Sequence, residues 1–362
     1  MTHQNDHPSM RLSMLIIATG TISTSLAQPD LLDLPIRHLL KDELHVSQSQ
    51  MAMLFGIGSL AWYVKPLAGL LVDRIALFGT HRRHYLIIST LAAAALWLPL
   101  GIVSHSYSLL LVTVVAMQFM LVIGSTVLGG FLVERGKLLG AEGRLVSCRV
   151  LVEHACVLIA GPIAGYLAGV PFGTAALIGA AIAAMTTPIV AMCVAEPVQG
   201  EPKIVKAAHL FRDLRLVLNS RAMWLVAIFS FVSNIPQSFG TPLYFYQKNM
   251  LTLSDVQIGY LTAVGGIGGL LASIFYQFLC RKLPVQGLLV LGTLGPSIGI
   301  VAYLFYTSVP AALIVEFLGG FVFGIGTLAL MQGAVISTFK RRGRHRRCFG
   351  GTVGRASVDD AF

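Results

Sequence analysis

The sequence predicts an all-α, polytopic helical membrane protein with about ten transmembrane helices. Apolar stretches of about 18 to 25 residues recur along the 362-residue chain, the length a helix needs to cross roughly 30 Å of hydrocarbon. Hydrophobic residues make up 55% of the chain and charged residues 12%, with a mean hydropathy of +0.77, which excludes an ordinary soluble domain. Inside lipid each backbone N–H and C=O must be satisfied within its own helix, so repeated spans mean a helical bundle.

The spans fall at roughly 13–36, 50–72, 85–104, 108–133, 145–169, 172–194, 222–245, 257–280, 285–306 and 310–336. Cations gather in every second gap. Arg74, Arg82 and Arg83 occupy the second, Arg135, Lys137 and Arg144 the fourth, and Lys203, Lys206, Arg212, Arg215 and Arg221 the sixth. Arg281 and Lys282 occupy the eighth, and the tail after the tenth span begins KRRGRHRR. The opposite gaps SHSYS, GVPFG and TSVP carry no Lys or Arg, and only Arg37, Lys41 and Lys248 fall on that side. The positive-inside rule therefore places both termini in the cytoplasm of a multi-pass protein of the cell inner membrane.

Organisation follows from the longest gap. The string AEPVQGEPK and the charge-rich KAAHLFRDLR divide six spans from four. The expected units are an N-terminal six-helix bundle over 1–200, a cytoplasmic linker over 201–221, a four-helix C-terminal bundle over 222–336 and a basic, disordered tail over 337–362. Residues 206–218 read either as a surface-lying amphipathic helix or as a plain solvated linker. The net charge of +10 lies in the short gaps, which points to anionic lipid headgroups rather than nucleic acid. The 37 glycines suit helices packed closely in lipid. The five cysteines show neither metal-ligand spacing nor a disulfide framework.

Charged and polar residues within spans are the candidate functional groups, because an unpaired charge in lipid is costly. Lys65 precedes Asp73 by eight residues, about 12 Å along a helix. It reads either as an anchor reaching the headgroups or as a cation facing a central aqueous cavity. Pro66 beside it removes a helical hydrogen bond and opens the span there. Arg149 and Glu153 lie four residues apart on one helix face, with His154 adjacent, and read as a structural ion pair or a coupled gate. Asp30 and Asp33 share a face near the outer end of the first span, where Arg37, Lys41, Asp42 and Glu43 follow. Glu316 lies near the outer end of the tenth span. Asn234, Gln237, Thr241 and Tyr244 surround Pro236 and Pro242, forming either a cavity wall or an interfacial aromatic belt. Asp73, Arg74 and Arg82, with Gly69 four residues before Asp73, form a charged cytoplasmic latch able to favour one conformation.

These residues carry a resemblance. Gly69-x-x-x-Asp73-Arg74 followed by Arg82-Arg83 is similar to the loop between the second and third helices of the major facilitator superfamily. LLKDELHVSQSQMAML, AWYVKPLAGLLVDRIALFGTHRRHYL and IPQSFGTPLYFYQKNMLTLSDVQIGYL resemble the folate–biopterin transporter family, in matching order. The resemblance covers about residues 15 to 335. It implies a major-facilitator-like fold and proton-coupled movement of a folate or pterin-like anion. It matches Lys65 and Pro66 to the family's second span, Asp73 and Arg74 to its loop, and Glu134 and Arg135 to the end of its fourth span. Two departures stand out. STVLGGFLVER carries Gly129 and Gly130 where members carry an acidic residue, and ten spans stand in place of twelve. An altered or shortened C-terminus, as from a frame disruption, is the expectation for the tail.

The sequence thus points to a secondary transporter working by alternating access and needing no cofactor, with a proton gradient as the drive that the resemblance implies. Lys65 and Arg149 would meet an anionic substrate, and Trp62, Phe239 and Tyr244 read either as surfaces for its ring or as aromatics that pack helices and mark interfaces. No nucleotide-binding glycine loop and no nucleophile–base or metal-ligand cluster is discernible, so an enzyme is not expected. The alternatives are a degenerate, non-transporting protein on the same scaffold, or a transporter of another small solute. The oligomeric state is not legible.

Overall fold

The computed structural model describes residues 10–27, 31–75, 77–80, 82–102, 106–139, 141–194, 224, 228, 239–283, 287, 290, 291, 294, 295, 299 and 301–339. The described secondary structure is helical apart from one isolated bridge between Leu77 and Thr80. The helices are α1 (Met10–Leu26), α2 (Asp33–His38, continuing into a π-helical turn Leu39–Glu43), α3 (Gln48–Tyr63) and α4 (Lys65–Arg74). Next come α5 (Arg83–Ile102), α6 (Tyr107–Leu139), α7 (Glu142–Ala168), α8 (Phe172–Ala184) and α9 (Thr186–Cys193). The rest are α10 (Gly240–Asn249), α11 (Asp255–Lys282), a 3-10 turn (Tyr303–Phe305) and α12 (Val309–Phe339).

Local chemistry sets several of these boundaries. Ser47 before α3 and Ser254 before α11 each form a capping box, with Gln50 and Gln257 three residues on. The second predicted span breaks into α3 and α4 at Val64, because Pro66 has no N–H to offer the Trp62 carbonyl. The turn between α4 and α5 holds Phe78 at φ 49° and Gly79 at φ 78°. Only the glycine takes that left-handed backbone without a Cβ penalty.

Among the described residues, 6 helical segments are long and apolar enough to cross a membrane. They are Arg83–Ile102, Tyr107–Gly136, Arg144–Ala168, Phe172–Met192, Asp255–Tyr276 and Val309–Ala329. That is fewer than the ten expected, for identifiable reasons. The first expected span is divided between α1, a shorter apolar helix ending at Leu26, and α2; the second is interrupted at Val64. Most of the seventh and nearly half of the ninth, like the linker and the tail beyond 339, lie outside the described residues.

In packing, α5 lies against α6 and α8, and α1 contacts α6, α7, α8 and α9. Helix α11 runs between α7 and α12. Glycines allow this sandwich. A Cβ at Gly161 of α7 would overlap the Gly259 carbonyl of α11, and one at Gly165 would come within 2.7 Å of the Asp255 carbonyl. On the opposite face, a Cβ at Gly268 would overlap the Phe317 carbonyl of α12, and one at Gly320 the Gly265 carbonyl. Lipid supplies no hydrophobic drive between helices, so close backbone packing has to hold them together.

Candidate functional site

The break between α3 and α4 puts Lys65 at the first position of α4, and its side chain crosses to α6, where Nζ lies 3.0 Å from Ser125 Oγ. Arg149 of α7 approaches the same hydroxyl, with an Nη2 to Oγ distance of 3.4 Å. Its Nε donates to Glu153 Oε1 at 2.9 Å. Two cations therefore converge on one hydroxyl against a single carboxylate, leaving a net positive charge. Lys65 Nζ also sits 4.9 Å from the centre of the Trp62 ring, whose N–H donates to Gln118 Oε1 at 3.1 Å. Gly129, on α6, faces the same group: a Cβ there would lie 3.6 Å from Arg149 Nη1. At Gly130 a Cβ would overlap the Arg82 guanidinium, and Arg82 Nε lies 3.7 Å from Glu134 Oε2. The two glycines thus leave room for two arginines.

A second polar cluster joins α2 and its π-helical turn to α10 and α11. His38 Nδ1 lies 2.9 Å from Asp255 Oδ2 and 3.0 Å from Asp42 Oδ2. Lys248 Nζ lies 2.8 Å from Asp255 Oδ2 and 3.4 Å from Asp42 Oδ2, between the two carboxylates. Tyr244 donates to Asp255 Oδ1 at 3.1 Å. Arg37 pairs with Asp33 at 2.6 Å and donates to Thr241 at 3.1 Å. Burial pushes the Asp42 carboxyl up, but Lys248, Lys41 and His38 outweigh it and hold the group below the usual carboxylate value.

The profile of the BT1 family matches residues 28–309, more than half of the sequence. The chain belongs to that family. A folate-biopterin transporter of Synechocystis is 26% identical over 262 residues, covering 70% of this chain and 52% of that protein. An Arabidopsis thaliana protein named "Probable folate-biopterin transporter 4" is 38% identical over 73 residues, 20% of this chain and 15% of its own. The chain spans about half the length of the Synechocystis relative. Among solved structures, a nucleoside transporter superposes with a TM-score of 0.67 at 14% identity, over 93% of this chain and 84% of that one. An inward-facing bacterial homologue of the lysosomal transporter Spinster gives 0.61 at 14% identity, over 90% and 74%. A D-xylose–proton symporter gives 0.59 at 15% identity, over 91% and 81%. These likenesses establish an all-α, multi-pass membrane fold of the major-facilitator kind.

Within this BT1 member, the expected residues separate into groups. Lys65, Arg149 and Glu153 come together around Ser125. Asp33 and Tyr244 belong to the α2–α10–α11 cluster, where buried Tyr244 serves as a hydrogen-bond donor to Asp255. Arg82 and Glu134 pair with each other, while Arg135 lies 5.4 Å from the Phe131 ring centre. Glu316 accepts a bond from Tyr306, remote in sequence from both clusters. Asp30, Asn234 and Gln237 lie outside the described residues, as do the side chains of Asp73 and Arg74. Sequence reasoning missed Ser125, His38 and Asp255 as site residues. A buried serine in an apolar span carries no pattern of its own. Lys41 and Lys248 did carry a signal: they were exceptions to the charge rule, and each has a carboxylate partner.

Proposed function

We propose that the chain is a secondary transporter that moves a folate or pterin-like anion by alternating access, with the group around Ser125 as its substrate site. The observation that carries this reading is the convergence of Lys65 and Arg149 on one hydroxyl with only Glu153 to offset them. A site of net positive charge within the bundle attracts an anion and is costly when empty. Trp62, already beside Lys65, offers a flat face to a heterocycle. The folate–biopterin transporters among the relatives support the substrate class. The reading includes ten spans, with two further crossings over 222–245 and 285–306 and both termini in the cytoplasm. It takes the α2–α10–α11 cluster as a gate that closes the outer side. Uptake of a labelled panel of folates, pterins, amino acids and sugars into liposomes holding the purified chain tests it. Folate or pterin accumulation is expected, and uptake of a sugar or amino acid alone would overturn the assignment.

A further inference from the structure

Carboxylates in the described structure pair with cations almost throughout. Asp33 is matched by Arg37, Asp42 and Asp255 by Lys248, Glu134 by Arg82 and Glu153 by Arg149. Glu316, within the Val309–Ala329 span, has no cationic partner among the described residues. Its contact is a phenol: the Tyr306 hydroxyl donates to Oε1 at 3.1 Å. That hydroxyl in turn accepts a bond from Gln247 Nε2 at 2.6 Å. The amide nitrogen only donates, so the phenolic proton is directed at the carboxyl group. Both relay residues are buried, Tyr306 at 2% and Gln247 at 4% exposure.

The other carboxylate oxygen of Glu316 faces α11. Oε2 points toward Gly265 of α11, where even an added Cβ would stand 3.9 Å away. Among the described residues, the contacts of Glu316 bring no competing charge. The 3-10 turn and the residue following it contribute the phenols Tyr303 and Tyr306, stacked 5.7 Å apart. Helix α10 contributes Gln247 through Tyr306, and Tyr246 against the Tyr306 ring; Lys248, the next residue, is held by Asp255. Helix α11 contributes glycine. A lone carboxylate within a span is costly as an anion, and one proton removes that charge.

We infer that Glu316 is the proton-carrying carboxylate of the transport cycle, positioned by the Gln247–Tyr306 relay. This rests on the transport reading above and deepens it. In the step, the Glu316 carboxylate takes one proton from water on one side, forming the neutral acid, and returns it to water on the other side; no other bond changes.

The test uses the full chain in liposomes with labelled folate. In the Glu316→Gln protein, accumulation driven by a pH gradient should disappear, while exchange of internal for external folate at equal pH persists within about threefold. Tyr306→Phe, of nearly the same shape, should keep pH-driven accumulation but shift its pH profile. Loss of exchange together with accumulation in Glu316→Gln, or accumulation unchanged in it, would overturn the inference. An unaltered profile in Tyr306→Phe would remove the relay. If the parent chain moves no folate in either assay, the transport reading itself fails, a separate outcome.

Discussion

His38 Nδ1 and Asp255 Oδ2 lie 2.9 Å apart although 217 residues separate them in the chain. This contact, reinforced by Lys248 between Asp255 and Asp42, ties the turn after α2 to the start of α11. Its partners are only partly exposed, with Asp255 at 11% and Lys248 at 15% side-chain exposure, so solvent screens them less than surface ion pairs.

Replacing Asp255 with Asn removes the negative charge facing His38 and Lys248 and leaves one amide oxygen to accept where two carboxylate oxygens served these residues and Tyr244. A lost charged hydrogen bond of this kind costs about 2 kcal/mol, roughly a thirtyfold population shift. Spin labels at exposed Glu43 and Met250 should therefore report longer distances in Asp255→Asn than in the parent protein. An unchanged distribution would count against a closing role.

Asp42 gives a pH signature. A carboxylate whose folded value is depressed contributes stability that is complete above its unfolded value, about 4, and is lost as pH falls through the folded value. The stability difference between the parent and Asp42→Asn should be constant from pH 8 to about 5 and shrink below about 4. Thermal unfolding in detergent across that range measures it.

At the proposed substrate site, Lys65→Ala should weaken folate uptake by about tenfold or more at equal membrane abundance, with Lys65→Arg retaining much of it. Unchanged uptake in the alanine variant would favour a headgroup anchor. Gly129→Asp places a carboxylate beside Arg149, cancels the excess positive charge and should weaken folate uptake as well. Equilibrium binding of folate to the detergent-solubilised variants separates affinity from turnover.

The α7–α11 crossing depends on absent side chains. Gly161→Leu should destabilise the protein by about 1–3 kcal/mol or more, because backbone on α11 fills the space. Gly56→Ala, where nothing lies within 4 Å, should be neutral or slightly stabilising. Comparing the two melting temperatures isolates the close approach from general glycine effects.

Residues 10–339 show which features local chemistry fixes. Apolar length is legible because a helix rises about 1.5 Å per residue and the bilayer has a set thickness. The opening of the second span at Pro66 and the Arg149–Glu153 pair were legible for the same reason: both involve residues within four positions on one helix. Lys41 and Lys248 were visible only as exceptions to a charge pattern, with no sign of which carboxylates they meet. Ser125 became a hub because α4 and α7 approach α6 from different sides, bringing together residues 60 and 24 positions away. The 2.9 Å contact of His38 with Asp255 and the glycine contacts on both faces of α11 likewise depend on how helices cross. Residue order sets each helix and its faces; which faces meet is settled by close packing of many helices at once, and that packing built both polar clusters.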